Sequence, residues 1–144
     1  SLAFRPDGAR AFVSNREPAT GVVLDTTLRG DGSVDGTTLA TIDIGGGPSR
    51  LIVQPLAGGG YVVLVVCFDV EKVFVIDPDL LAVVDVFRTG MGPHAILPDP
   101  ARNRAYLANF GESTIWVLDF DPAGPDFARP VLLIGTPEPP SGHD

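Results

Sequence analysis

Apolar residues in this chain come in short bursts, each stopped by Pro, Gly or Asp. Residues 105–109 (Ala-Tyr-Leu-Ala-Asn) and 114–119 (Thr-Ile-Trp-Val-Leu-Asp) flank the turn-forming 110–113 (Phe-Gly-Glu-Ser). Two β-patterned runs around four turn residues predict a hairpin. Long helix-forming stretches are few, and the short runs between Gly, Pro and Asp predict an all-β protein. The most hydrophobic run, residues 61–68, is eight residues long. A membrane helix needs about 20, so the run predicts a buried strand.

The hairpin occurs three times. Leu2-Ala3-Phe4-Arg5-Pro6 lines up with Leu51-Ile52-Val53-Gln54-Pro55 and with Ile96-Leu97-Pro98-Asp99-Pro100, each an apolar strand stopped by a proline turn. Gly47-Pro48 and Gly92-Pro93 precede the second and third copies and stand 45 residues apart. Second strands are expected at 11–15, 64–67 and 105–109, third strands at 21–25, 73–77 and 115–119, and fourth strands at 39–44, 81–87 and 130–134. The end of the second strand and the closing Asp are ten positions apart in every copy: Asn15 to Asp25, Cys67 to Asp77, Asn109 to Asp119. Four short antiparallel strands in a unit of roughly 45 residues make a β-propeller blade. The expected units are residues 1–47, 48–92 and 93–135, followed by a Pro-rich tail at 136–144 that reads as a linker.

Leu2-Ala3-Phe4-Arg5-Pro6-Asp7-Gly8-Ala9-Arg10-Ala11-Phe12-Val13-Ser14-Asn15 and residues 105–119 resemble the repeat of the YVTN family of bacterial and archaeal propellers. The middle copy departs from it: residues 56–60 (Leu-Ala-Gly-Gly-Gly) replace the Pro-Asp-Gly type turn, and Cys67 replaces the usual Asn. The resemblance implies an extracytoplasmic protein, periplasmic, secreted or at the cell surface.

Composition narrows the partners. The chain has 144 residues, with 17 Gly and 14 Pro, and carries ten Lys and Arg against 18 Asp and Glu, a formal charge of −8. No cationic cluster is visible to face phosphates, so neither nucleic-acid binding nor docking on an anionic membrane is expected, and an eight-residue apolar run is too short for membrane insertion. Cys67 has no cysteine to pair with and reads as a buried small hydrophobe. A chain that opens on Ser1 reads as a fragment or a processed product.

Candidate chemistry is sparse. His94 follows Gly92-Pro93 at the start of an innermost strand, near one mouth of a central channel, and Arg50 lies one position further on in the preceding copy. Both are candidate ligand-binding residues, since channel mouths take small molecules. Asp31, Ser33 and Asp35 alternate around Gly32 as a hard cation such as calcium requires, but no Glu stands six residues after Gly36. A metal-free Asp/Gly turn accounts for the same residues. Asp25, Asp77 and Asp119 are expected to accept backbone N–H groups of the following turns. Trp116, Phe74 and Val22 occupy equivalent third-strand positions and are expected to pack between blades. No haem-attachment, zinc, phosphate-loop or nucleophile-elbow motif is present.

Propellers close with four to eight blades. Three blades leave two apolar faces uncovered, so the chain is expected to belong to a six- to eight-bladed ring, its remaining blades in the same protein or in a partner chain. A non-catalytic binding or scaffold module held by protein–protein contacts is the leading expectation. Its rivals are part of a propeller enzyme (a lactonase-like hydrolase or a redox-cofactor propeller, its catalytic residues in further blades) and a structural subunit of a surface layer or filament.

Overall fold

The computed structural model describes residues 1–137. Most of the Pro-rich tail, from residue 138 on and including His143, lies outside them. Among the described residues, twelve strands form three four-stranded antiparallel sheets. The first blade holds β1 (Leu2–Phe4), β2 (Arg10–Asn15), β3 (Thr20–Asp25) and β4 (Thr38–Asp43). The middle blade holds β5 (Pro48–Pro55), β6 (Tyr61–Cys67), β7 (Lys72–Asp77) and β8 (Ala82–Arg88). The third holds β9 (Pro93–Asp99), β10 (Arg104–Asn109), β11 (Thr114–Asp119) and β12 (Arg129–Ile134). Each sheet is a meander in chain order. Among the described residues no helix is long and apolar enough to cross a membrane.

The same local devices recur in each blade. Asp25, Asp77 and Asp119 each accept a backbone N–H two residues on, from Thr27 at 2.9 Å, Asp79 at 2.8 Å and Asp121 at 2.9 Å. These bonds turn the chain out of the third strand toward the fourth. The register between third and fourth strands shifts at Val23/Leu24, Val75/Ile76 and Val117/Leu118, one repeat position in three blades. A bulge there strengthens the local twist and re-aims the outer strand.

In the middle blade, alternation directs the side chains of successive positions to two different seams. From β6, Val62, Leu64 and Val66 enter the core between middle and third blades, while Val63, Val65 and Cys67 enter the core between first and middle blades. That double burial explains why β6 is apolar throughout instead of alternating. The two faces of a blade can be called back, toward the next blade, and front, toward the previous one. Ile52, Leu64 and Val75 are back residues packed toward the third blade, and the repeat equivalents Ala3, Phe12 and Val23 pack toward the middle blade. Leu51, Val65 and Ile76 are front residues, and Ile96, Leu107 and Leu118 repeat them in the third blade. Phe74 and Trp116 sit at the edges of the two cores, so the aromatic third-strand column packs between blades.

Polar contacts also cross the seams. Arg10 Nη1 donates to the Pro78 carbonyl oxygen at 2.8 Å. Arg129 grips Asp85 through both terminal nitrogens, at 2.7 and 3.2 Å, with its guanidinium 5.8 Å from the Phe87 ring centre. Hydrogen bonding from Arg129, opposed by partial burial, holds the Asp85 carboxyl below its ordinary range. A depressed folded-state pKa gives stability that is present above the unfolded carboxylate value and lost as pH falls through the folded one. Because both groups are part-exposed, Asp85→Asn is expected to cost less than about 1 kcal/mol at pH 7. The variant should also lose less further stability than the parent between pH 5 and about pH 3. Urea unfolding at several pH values measures this; identical acid slopes would mean that the pair stabilises nothing.

Candidate functional site

A cavity of about 430 Å³ opens on the face where the second strands end. It is lined by Arg16, Ser49, Phe68, Asp69, His94 and Phe110. The lining is itself a repeat. Arg16, Phe68 and Phe110 each follow the last residue of a second strand, after Asn15, Cys67 and Asn109. Ser49 and His94 each follow a Gly-Pro pair. Three blades thus deliver equivalent positions to one place.

Two backbone devices hold them there. The Phe68 N–H donates to the Gly47 carbonyl and the Phe110 N–H to the Gly92 carbonyl, both at 2.8 Å, so each aromatic is tied to the adjacent Gly-Pro turn. The pairing of β5 with β6 runs from Pro48↔Cys67 to Arg50↔Val66, and β9 with β10 from Pro93↔Asn109 to Ala95↔Ala108. Ser49 and His94 are the residues left over. A bulge releases a side chain from the ladder and re-aims it, and in both blades it frees the cavity-lining residue. The Ser49 hydroxyl donates to the Val66 and His94 carbonyls at 3.3 and 3.4 Å.

Gly47 and Gly92 take left-handed backbone conformations, with φ of 67° and 62°. Alanine at Gly47 would hold a strained φ, and its Cβ would overlap the Asp69 carboxylate. Gly47→Ala is expected to cost about 1–2 kcal/mol and to displace Asp69 from Arg16. Thermal unfolding checks the first effect, and an unchanged melting temperature would contradict it.

The cavity combines two aromatic side chains with an ion pair. Arg16 Nη2 lies 3.4 Å from Asp69 Oδ2, with both side chains more than half exposed. A pair that long and that exposed is worth little by itself and can open toward a ligand at small cost. Phe110 is 80% exposed. Aromatic walls, an Arg, an Asp, a Ser and a His suit a small amphipathic molecule better than a bare ion.

The two residues singled out in the sequence part company. His94 lines this cavity, whereas Arg50 lines a second one of about 380 Å³ beside Ala95, Leu97 and Tyr106. The bulge separates them: Arg50 is back in the ladder opposite Val66, and Ser49 is the residue equivalent to His94. Arg16, Ser49, Phe68, Asp69 and Phe110 belong to no sequence motif that marks a site, Phe110 reading as a turn residue and Phe68 as part of an apolar run. Their signal is positional, the residue after the second strand and the residue after Gly-Pro, read down the three copies.

The loop carrying Asp31, Ser33 and Asp35 uses its oxygens internally. Asp31 Oδ1 accepts from the Ser33 N–H at 2.9 Å and from the Ser33 hydroxyl at 2.6 Å. Those bonds, the hydroxyl first, lower the Asp31 pKa. Asp35 pairs with Arg29 at 3.1 Å and accepts from the Thr37 hydroxyl. Among the described residues no three His, Cys, Asp or Glu side chains are grouped as a metal ion would need.

No family model matches the chain, and no curated protein matches it. Solved structures do. Hydrazine synthase from Kuenenia stuttgartiensis superposes on 94% of the chain with a TM-score of 0.74 at 20% identity, over 35% of its own length. Dihydro-heme d1 dehydrogenase NirN, in complex with DHE, matches 97% with a TM-score of 0.73 at 17% identity, over 28% of its length. A functionally unknown protein from Desulfotomaculum acetoxidans matches 94% with a TM-score of 0.76 at 16% identity, over 42% of its length. These are β-propeller folds. The chain is three blades of a β-propeller. It spans 28–42% of the length of these three structures, and at such identities the likeness establishes the fold alone.

Proposed function

We propose that this chain is a non-catalytic binding or scaffold module within a larger propeller assembly. One observation carries the reading: the front of the first blade and the back of the third are apolar and uncovered, with Leu2 and Phe4 on one, and Leu97, Leu132 and Ile134 on the other, all exposed. Contiguous apolar faces of this kind mark association sites. Further blades, of the same protein or of a partner chain, cover them, and the cavity at Phe68, His94 and Phe110 takes a small ligand on the assembled ring. The extracytoplasmic location rests on the YVTN resemblance.

The binding reading is favoured over catalysis by the cavity itself. Its Arg and Asp neutralise each other, which leaves His94 as the one further titratable group in its lining. The enzymes among the structural neighbours lend nothing to a catalytic reading, because the likeness is one of fold.

The test is sedimentation of the folded 144-residue chain together with binding of the apolar-surface dye ANS. Association, or strong dye binding by a monomer, is the expected result. A folded monomer that binds no dye would overturn the proposal.

A further inference from the structure

We infer that the cavity between the three blades takes a free aromatic α-amino acid. Its zwitterionic head lies between Arg16 and Asp69, and its ring lies among Phe68, His94 and Phe110. The inference rests on the binding reading above and names the ligand class.

The cavity has two chemically different ends. Asp69 lies over the Gly47 turn, where any Cβ would overlap its carboxylate, and Arg16 reaches it from the first blade. Both charges therefore stand toward the seam between first and middle blades. The aromatic groups stand toward the other seam. The Phe68 ring edge lies 3.4 Å from the point that a Cβ on Gly92 would occupy, and the Phe110 N–H donates to the Gly92 carbonyl. His94 follows the same turn. The volume of about 430 Å³ is at the small end of the ~300–1,000 Å³ usual for ligand pockets, so one compact molecule reaches both ends.

Charge selects the head group. At 3.4 Å the Arg16–Asp69 contact is longer than a charge-assisted hydrogen bond, which spans roughly 2.7–2.9 Å. A ligand with one charge would pair with one member and leave the other without its partner. An ammonium beside a carboxylate serves both. The carboxylate meets the planar fork of the Arg16 guanidinium, and the ammonium meets Asp69. A peptide terminus, a simple amine or a simple acid brings only one of these charges. The formal charge of −8 on the chain further disfavours a bare anion. At the other end, rings pair edge-to-face or offset, and Phe68 and Phe110 offer such faces from two different blades.

The experiment is calorimetric titration of the folded chain with four probes that divide the ligand into its parts. L-Phenylalanine carries both charges and the ring, phenethylamine lacks the carboxylate, 3-phenylpropionate lacks the ammonium, and glycine lacks the ring. L-Phenylalanine is expected to bind, the two singly charged probes at least about fivefold more weakly, and glycine not at all. Three variants, each checked by circular dichroism, assign the contacts. Arg16→Gln should remove the preference over phenethylamine, and Asp69→Asn the preference over 3-phenylpropionate. Phe110 is 80% exposed, so Phe110→Ala should keep the fold and weaken every ring-bearing probe. Unchanged preferences in the charge variants would overturn the placement of the head group. A singly charged probe that binds as tightly as L-phenylalanine would overturn the zwitterion while leaving a small-ligand cavity standing. No binding by any probe removes both, and the larger-assembly reading is then still decided separately by sedimentation and dye binding.

Discussion

Leu64→Ala is expected to remove about 3–4 kcal/mol of stability and to lower the melting temperature by about 10 °C. Leu64 is completely buried on the back of β6, where the middle blade packs against the third. Truncation there deletes apolar contact and leaves a cavity. Relaxation offers little relief, because the neighbours on β5 and β7 are held by the ladders on either side. The control is Leu97→Ala, a leucine on the same kind of face in the uncovered blade. In dilute solution it is expected to change stability by less than about 0.5 kcal/mol. Urea unfolding of both variants decides the matter. A loss below about 1 kcal/mol for Leu64→Ala would mean that the middle seam is not close-packed.

That contrast between two leucines also marks what the sequence could and could not say. Strands were legible because alternation, proline stops and the ten-residue step from Asn15 to Asp25 recur in all three copies. The capping role of Asp25, Asp77 and Asp119 was legible because Asp followed by a turn has one favoured use, acceptance of a nearby N–H. Burial of Val62 to Cys67 on both sides was legible from the unbroken apolar run 61–68, whose last residue, Phe68, leaves the strand and is 39% exposed. The cavity was not. Its composition depends on bulges at Ser49 and His94, and a bulge moves one residue out of the ladder without leaving a hydrophobic signature. Arg50 and His94, one repeat position apart, are therefore sent to different cavities. Phe110 reads as an ordinary turn residue and Phe68 as the end of the apolar run until their N–H bonds to the Gly47 and Gly92 carbonyls are seen to hold them beside His94. The uncovered faces were legible by counting, since three repeats leave a first and a last face open: Leu2 and Leu97 are exposed, whereas Leu51, Ile96 and Ile52, in the same two columns, are buried.

Cys67 supplies a probe of that difference. Its side chain is fully buried in the seam between first and middle blades, and burial pushes its thiol up to about 11 from an ordinary value of 9.0. Two pH units mean about a hundredfold less thiolate at pH 8, even before access is considered. Labelling of the folded chain by a disulfide reagent is thus expected to be at least about a hundredfold slower than in urea, and to report opening of the structure rather than intrinsic reactivity. The location of Cys67 makes the measurement directional. Phe12 closes this seam from the first blade, whereas Leu107 closes the other seam from the third. The first blade has one covered face and the middle blade two, so the first blade is expected to lift away without global unfolding. On that basis Phe12→Ala should accelerate labelling at least about tenfold more than Leu107→Ala, although both are expected to lose about 3 kcal/mol of global stability. Equal acceleration by the two would show that the three blades open as one unit. Parent labelling as fast as that of the unfolded chain would show that the seam is not closed at all.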